Sequence, residues 1–89
     1  MNKTIKAVVS GKVQGVWFRA STMEVAEKLN LNGYAKNLPN GNVEVMATGE
    51  KIDIEKLVVF LSHGPKSSIV DEFQWQWVDI EIFSKFEIL

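Results

Sequence analysis

Between an alternating apolar run and a helix-period stripe, the sequence places a glycine-punctuated joint: Ser10-Gly11-Lys12-Val13-Gln14-Gly15-Val16-Trp17-Phe18-Arg19. Before it, Ile5, Ala7 and Val9 recur every second residue, the period of a strand with one buried face. After it, Thr22, Val25, Ala26 and Leu29 recur at spacings of three and four, the apolar stripe of a helix. The chain must turn where its period changes, which sets the start of a helix beside the end of a strand. The first N–H groups of a helix lack intrahelical partners, and the dipole makes that end partly positive. A glycine-containing turn in front of it can curl its own N–H groups around a small anion. Arg19 adds a permanent charge and a fork of donors that matches phosphate or carboxylate oxygens. The joint therefore predicts capture of a tetrahedral oxyanion, with phosphate foremost. It is neither a Walker loop nor the dinucleotide fingerprint, because Lys-Ser/Thr and the third glycine are missing. A purely structural strand-to-helix turn is the competing reading of the same residues.

The first helix, over Ala20 to Leu31, is expected to stop around Asn30, with asparagine in the left-handed C-terminal position. Gly33 then opens a second strand, Tyr34 to Leu38. Asn40-Gly41 is a strong hairpin signal because both turn positions want positive φ. A third strand follows over Asn42 to Thr48, closed by Gly49. Ile54, Leu57, Val58 and Leu61 mark a second helix, ended by Gly64-Pro65. A fourth strand begins near Ser68, where the spacing of Val70, Phe73, Trp75 and Trp77 predicts a bulge or twist near Asp71-Glu72. Trp75 and Trp77 give this strand one aromatic face, expected to pack on the core, with self-association as the alternative. A last short strand is expected around Lys85 to Leu89. The order β-α-β-β-α-β predicts an α+β, ferredoxin-like sandwich with an antiparallel sheet and both helices on one face. Right-handed crossovers place strands one and three in the centre.

With 89 residues the chain is expected to form one domain, residues 1–89, with a single core. Ten basic and eleven acidic residues leave a formal charge of -1, which does not favour a nucleic-acid partner or an anionic membrane surface. There is no cysteine and one histidine, His63, so thiolate catalysis and cysteine or histidine metal sites are disfavoured. The start, Met1-Asn2-Lys3-Thr4, lacks a signal-like apolar region, which makes the cytoplasm the default expectation.

The run Gly11-Lys12-Val13-Gln14-Gly15-Val16-Trp17-Phe18-Arg19 resembles the signature of the acylphosphatases, small metal-free hydrolases of carboxyl–phosphate anhydrides. That family is also marked by an asparagine on a strand shortly before a hairpin turn, here Asn37 in Gly33-Tyr34-Ala35-Lys36-Asn37-Leu38-Pro39-Asn40-Gly41. Gly64-Pro65 and the terminal Phe86-Glu87-Ile88 extend the likeness over nearly the whole chain. Asn30 departs from it, since the family pattern usually has glycine there. The resemblance implies a monomer with a small-molecule acyl phosphate as substrate, inorganic phosphate as product, and neither cofactor nor metal. It implies that backbone N–H groups of Gln14, Gly15, Val16, Trp17 and Phe18 bind the phosphate together with Arg19. Arg19 and Asn37 would be the catalytic pair, Asn37 orienting the attacking water.

The residue chemistry agrees with that implication. The two motifs contain no Cys, His, Asp or Glu, arginine keeps its proton, and asparagine does not titrate. Ser10, Ser21 and Thr22 have no base beside them in sequence, which disfavours them as nucleophiles. A site without a base suits a substrate that is already activated, and an acyl phosphate loses a carboxylate that needs no proton. Phosphoryl transfer asks mainly for positioning and charge stabilisation. One alternative is a non-catalytic module that binds phosphate or carbamoyl phosphate on the same loop. Another is an RNA-recognition module on the same β-α-β-β-α-β plan, which needs aromatic and basic residues on a central strand. The third strand, Asn42-Val43-Glu44-Val45-Met46-Ala47, has neither.

Overall fold

The protein is described here by a computed structural model covering residues 1–89. Its elements follow the expected order: β1 (Asn2–Lys12), α1 (Phe18–Lys28), β2 (Asn32–Asn37), β3 (Val43–Glu50), α2 (Lys51–Leu61), β4 (Ile69–Val78) and β5 (Phe86–Ile88). The strands form one sheet in the order β4-β1-β3-β2-β5, with β1 and β3 in the middle. The four long strands pair antiparallel with one another. The short β5 runs parallel to β2, pairing Phe86 with Gly33 and Ile88 with Ala35, so the complete sheet is mixed.

One sheet face carries the core. Ile5, Ala7 and Val9 of β1 lie opposite Ala47, Val45 and Val43 of β3, and all six are buried. Cross-strand partners share a face, so these residues form one apolar surface. Phe18, Thr22 and Ala26 of α1 and Ile54, Leu57 and Leu61 of α2 bury against it. The Thr22 hydroxyl spends its proton on the Phe18 carbonyl one turn back, at 2.8 Å, which lets a polar residue sit in that stripe. Helix α1 begins at Phe18, two residues before the sequence suggests. Phe18 is fully buried and its ring lies 6.4 Å from that of Phe60 on α2. Gly64 makes room for it: with φ +67, it lies where an added Cβ would sit 2.6 Å from the Phe18 ring.

The end of α1 behaves as the sequence suggests. Asn30 adopts φ 57, its N–H reaches the Glu27 carbonyl, and the Leu31 N–H reaches the Ala26 carbonyl. This is the paired 5→2 and 6→1 closure of a Schellman end. On β4 the ladder with β1 slips between Ser10 and Gly11, leaving Asp71 as the extra residue, at the place where the alternation fails. Phe73, Trp75 and Trp77 then face the core side, opposite Val9, Ala7 and Ile5. Because β4 is an edge strand, Trp75 and Trp77 remain 39% and 40% exposed and stack edge-to-face on each other. They fringe the core without being enclosed by it.

The opposite sheet face is partly covered by the connection from β4 to β5. Thr48 donates its hydroxyl proton to the Glu81 carbonyl at 2.7 Å, which leaves Thr4 to donate to Thr48 and to accept from the Glu81 N–H. Each donor in this buried chain is used once. The same connection continues to Phe83, whose ring meets Tyr34 edge-on, and then delivers β5 to the free edge of β2. No helix is long and apolar enough to cross a membrane.

Candidate active site

The loop from Val13 to Trp17 and the first turn of α1 face the C-terminal end of β2 and the end of β5. Between them lies a cavity of about 360 Å³ lined by Val13, Gly15, Trp17, Phe18, Arg19, Ala20, Asn37 and Ile88. Arg19 and Asn37, separated in sequence by a whole helix, thus meet in one pocket. Gly15, Trp17 and Phe18 of the predicted phosphate loop line it as well. Gln14 and Val16 do not: the Gln14 side chain turns to the β2–β3 hairpin, and the Val16 carbonyl accepts from the Ser67 hydroxyl at 2.6 Å.

The loop backbone is shaped for donation. Gly15 takes φ 72 and Trp17, the residue capping α1, takes φ 65. Left-handed residues within a short loop turn successive N–H groups toward one concavity. The N–H groups of Gln14, Gly15, Val16 and Trp17 donate to no group in the chain, and those opening α1 have no intrahelical acceptor. A bulky residue at positive φ is strained. Trp17 is also 78% exposed, so its indole gains little burial in return.

Arg19 forms no pair with a side-chain carboxylate. Its Nη1 donates to the main-chain oxygen of Leu89 at 2.8 Å, and the backbone N–H of Asn37 donates to the same oxygen at 3.3 Å. One main-chain oxygen, that of Leu89 just past β5, therefore ties the arginine to the strand that carries the asparagine. The Leu89 N–H in turn donates to Ala35. This tie was not foreseen from the sequence. In the sequence Phe86-Glu87-Ile88 stands out only through the family resemblance, and a main-chain contact carries no residue-type signal. Val13, Ala20 and Ile88 likewise line the pocket as ordinary apolar residues, with nothing in their identities to single them out.

The Asn37 side chain completes the picture. Its Oδ1 is buried and has no hydrogen-bond partner within the protein. Buried acceptors are rarely left unpaired, because an unmade hydrogen bond costs about 1–3 kcal/mol. Here the exception belongs to a residue that lines the same cavity as Gly15, Trp17 and Arg19. The lining includes no carboxylate and no imidazole, so the pocket offers donors, one positive charge and one neutral acceptor. Such a set binds an anion and orients a neutral O–H group; it does not supply a base.

Comparison with known proteins places this geometry in a family. The family model for acylphosphatase matches residues 5–88. An acylphosphatase of Hahella chejuensis is 52% identical over 77 residues, spanning 86% of this chain and 82% of its own. One from Vibrio vulnificus is 51% identical over 84 residues, covering 94% and 93% of the two chains. A solved acylphosphatase from Coxiella burnetii superposes with a TM-score of 0.94 at 41% identity, across 99% of this chain and 93% of the other. With sequence and fold matched along almost its whole length, the chain belongs to the acylphosphatase family.

Proposed function

We propose that this protein hydrolyses acyl phosphates to a carboxylate and inorganic phosphate without a metal, as a monomeric enzyme of the cytoplasm. The observation that carries the reading is the meeting, around one cavity, of Arg19, of Gly15 and Trp17 with their undonated N–H groups, and of Asn37 with its unpaired Oδ1. The loop N–H groups from Gln14 to Phe18 and the Arg19 guanidinium hold the phosphoryl oxygens. They concentrate donors where charge spreads in the transition state, which is the main requirement of phosphoryl transfer. Asn37 Oδ1 accepts a hydrogen bond from water and holds its oxygen in line with the bond to be broken. The water oxygen bonds to phosphorus, and the P–O bond to the acyl group breaks. Its electron pair leaves on the carboxylate, and a water proton passes to a phosphoryl oxygen. No lining residue need gain or lose a proton.

Leu89 has a stated part in this scheme. Its main-chain oxygen occupies one guanidinium donor of Arg19 and fixes the plane of the rest. The remaining fork is thereby preorganised, so less side-chain entropy is lost on binding. A module that only bound phosphate or carbamoyl phosphate would use the same loop, but it would leave the orientation of Asn37 without a purpose.

The test is hydrolysis of a simple aromatic acyl phosphate in the presence of a chelator, beside Arg19→Ala. Wild-type turnover is expected to survive chelation and the variant to lose on the order of 10³-fold or more, the scale of an arginine that stabilises phosphoryl transfer. A folded wild type with no turnover, or turnover that chelation abolishes, overturns the proposal.

A further inference from the structure

Gln14 does something that phosphate binding by its backbone does not require. Its Nε2 donates to the Leu38 carbonyl at 2.9 Å and to the Asn42 carbonyl at 2.8 Å. An amide nitrogen has two protons, and both are used. The two acceptors stand on opposite arms of the β2–β3 hairpin, at its neck. Leu38 follows Asn37 directly, and Asn42 precedes Val43, the cross-strand partner of Asn37. The Asn42 carbonyl already closes the neck by accepting from the Leu38 N–H at 2.8 Å. The Asn42 N–H is spent on Asn40 Oδ1 at 3.0 Å, so it does not return the bond to Leu38. The Leu38 carbonyl accepts instead from the Gly41 N–H at 3.1 Å, so the turn is closed within the hairpin, and the Gln14 amide adds a further donor to each of the two neck carbonyls from the phosphate loop.

We propose that Gln14 is a positioning residue for hydrolysis, its side-chain amide locking the hairpin neck to the phosphate loop so that Asn37 holds its distance from the phosphoryl group. This rests on the function proposed above. The physical reason is one of precision. Asn37 sits on the last paired residue of β2, where a strand frays most easily, while the phosphate is held by a different segment. In-line attack depends on the separation of the two, and a misplacement of about 1 Å can cost on the order of 10²-fold in rate. A single amide on the loop reaches a carbonyl on each arm and so ties the hairpin neck to the loop directly. Ser67 secures the far side of the same loop through the Val16 carbonyl, so the loop is held from two directions.

The inference separates two quantities. Gln14→Met keeps the length of the side chain and removes both donors, leaving the backbone N–H groups in place. It is expected to lower kcat by about 10- to 100-fold, the scale of a misplaced group. The inhibition constant of inorganic phosphate is expected to stay within about twofold, since ligand affinity tracks only the contacts that change. Because the loss runs through Asn37, the two changes should not add. In an Asn37→Ala background, Gln14→Met is expected to cost less than about threefold, as residues acting on one function are non-additive. In an Arg19→Lys background, the full Gln14 effect should persist. Gln14→Glu, which keeps the shape but faces two carbonyls with an acceptor, should match or exceed the Met variant.

Folding is monitored by circular dichroism, and a hairpin loosened without unfolding should show faster amide exchange at Gly41 and Leu38. An active wild type with a large Asn37→Ala loss but a Gln14→Met kcat within about threefold of wild type overturns this inference and leaves the proposed function standing. So does a Gln14→Met loss that is equal with and without Asn37, or that appears in phosphate affinity. An inactive wild type overturns the proposed function, and this inference with it.

Discussion

Asn37 carries the sharpest consequence at the level of single residues. Its Oδ1 is a buried acceptor without a donor, and an amide offers acceptor and donor without charge or titration. If that oxygen orients the nucleophile, Asn37→Ala removes one transition-state contact, expected to cost at least on the order of 10² in kcat. Stability should not fall with it, because truncation also removes an unpaired buried group. The discriminating measurement is kcat and the denaturation midpoint on the same preparation. Activity within about fivefold of wild type would remove Asn37 from the mechanism, well short of the loss of a single donor in comparable sites. Arg19 and Asn37 were both legible in the sequence, Arg19 from its place at a strand–loop–helix joint and Asn37 only through the family resemblance. Their common anchor was not. The Leu89 oxygen that receives both is main chain, so the leucine side chain gives no sign of it.

Among the elements, the sequence was most informative where local chemistry decides the outcome. The bulge at Asp71 follows from broken alternation, and the end of α1 from an asparagine that tolerates positive φ. It was least informative where packing decides. Helix α1 starts at Phe18 because that ring is needed beneath Gly64 and against Phe60, not because of any propensity at the joint. Trp75 and Trp77 alternate like core residues, yet their strand ends the sheet and leaves them partly open. The α1 terminus lends itself to a direct test. Asn30 at φ 57 occupies a position where a Cβ-bearing residue without a local polar group is penalised by about 1–2 kcal/mol. Asn30→Ala is expected to lose about 1 kcal/mol, and Asn30→Gly to hold or gain a few tenths. Urea titrations of the two variants should therefore bracket the wild type. An alanine variant as stable as wild type would mean that the Schellman closure contributes nothing to α1.

For the molecule as a whole, both faces of the sheet matter, and the open face holds a group whose titration reports on global stability. Tyr34 is the sole tyrosine. Its hydroxyl donates to Glu44 Oε2 at 2.6 Å, with Lys6 on the other carboxylate oxygen at 3.5 Å and Phe83 against its ring. Burial, the hydrogen bond to Glu44 and the negative charges of Glu44 and Glu81 raise its pKa well above the ordinary tyrosine value of 10.0. The folded state therefore keeps the phenolic proton to higher pH than the unfolded chain does. Below the unfolded value both states hold the proton and the contribution is complete. Above pH 10 the unfolded chain releases it first, so stability falls as pH rises toward the folded value. The effect is moderated because Tyr34 is only half-buried and solvent screens its neighbours. Tyr34→Phe should be less stable than wild type near neutrality by about 1 kcal/mol, the net worth of one hydrogen bond. That gap should narrow steadily above pH 10, because the phenylalanine variant has no such proton to lose. Tyrosinate absorbance isolates the same event, since no other phenol contributes. A native-state titration centred on the ordinary value, or a stability gap that stays constant through the alkaline range, would show that the Tyr34–Glu44 bridge does not couple the open face to folding.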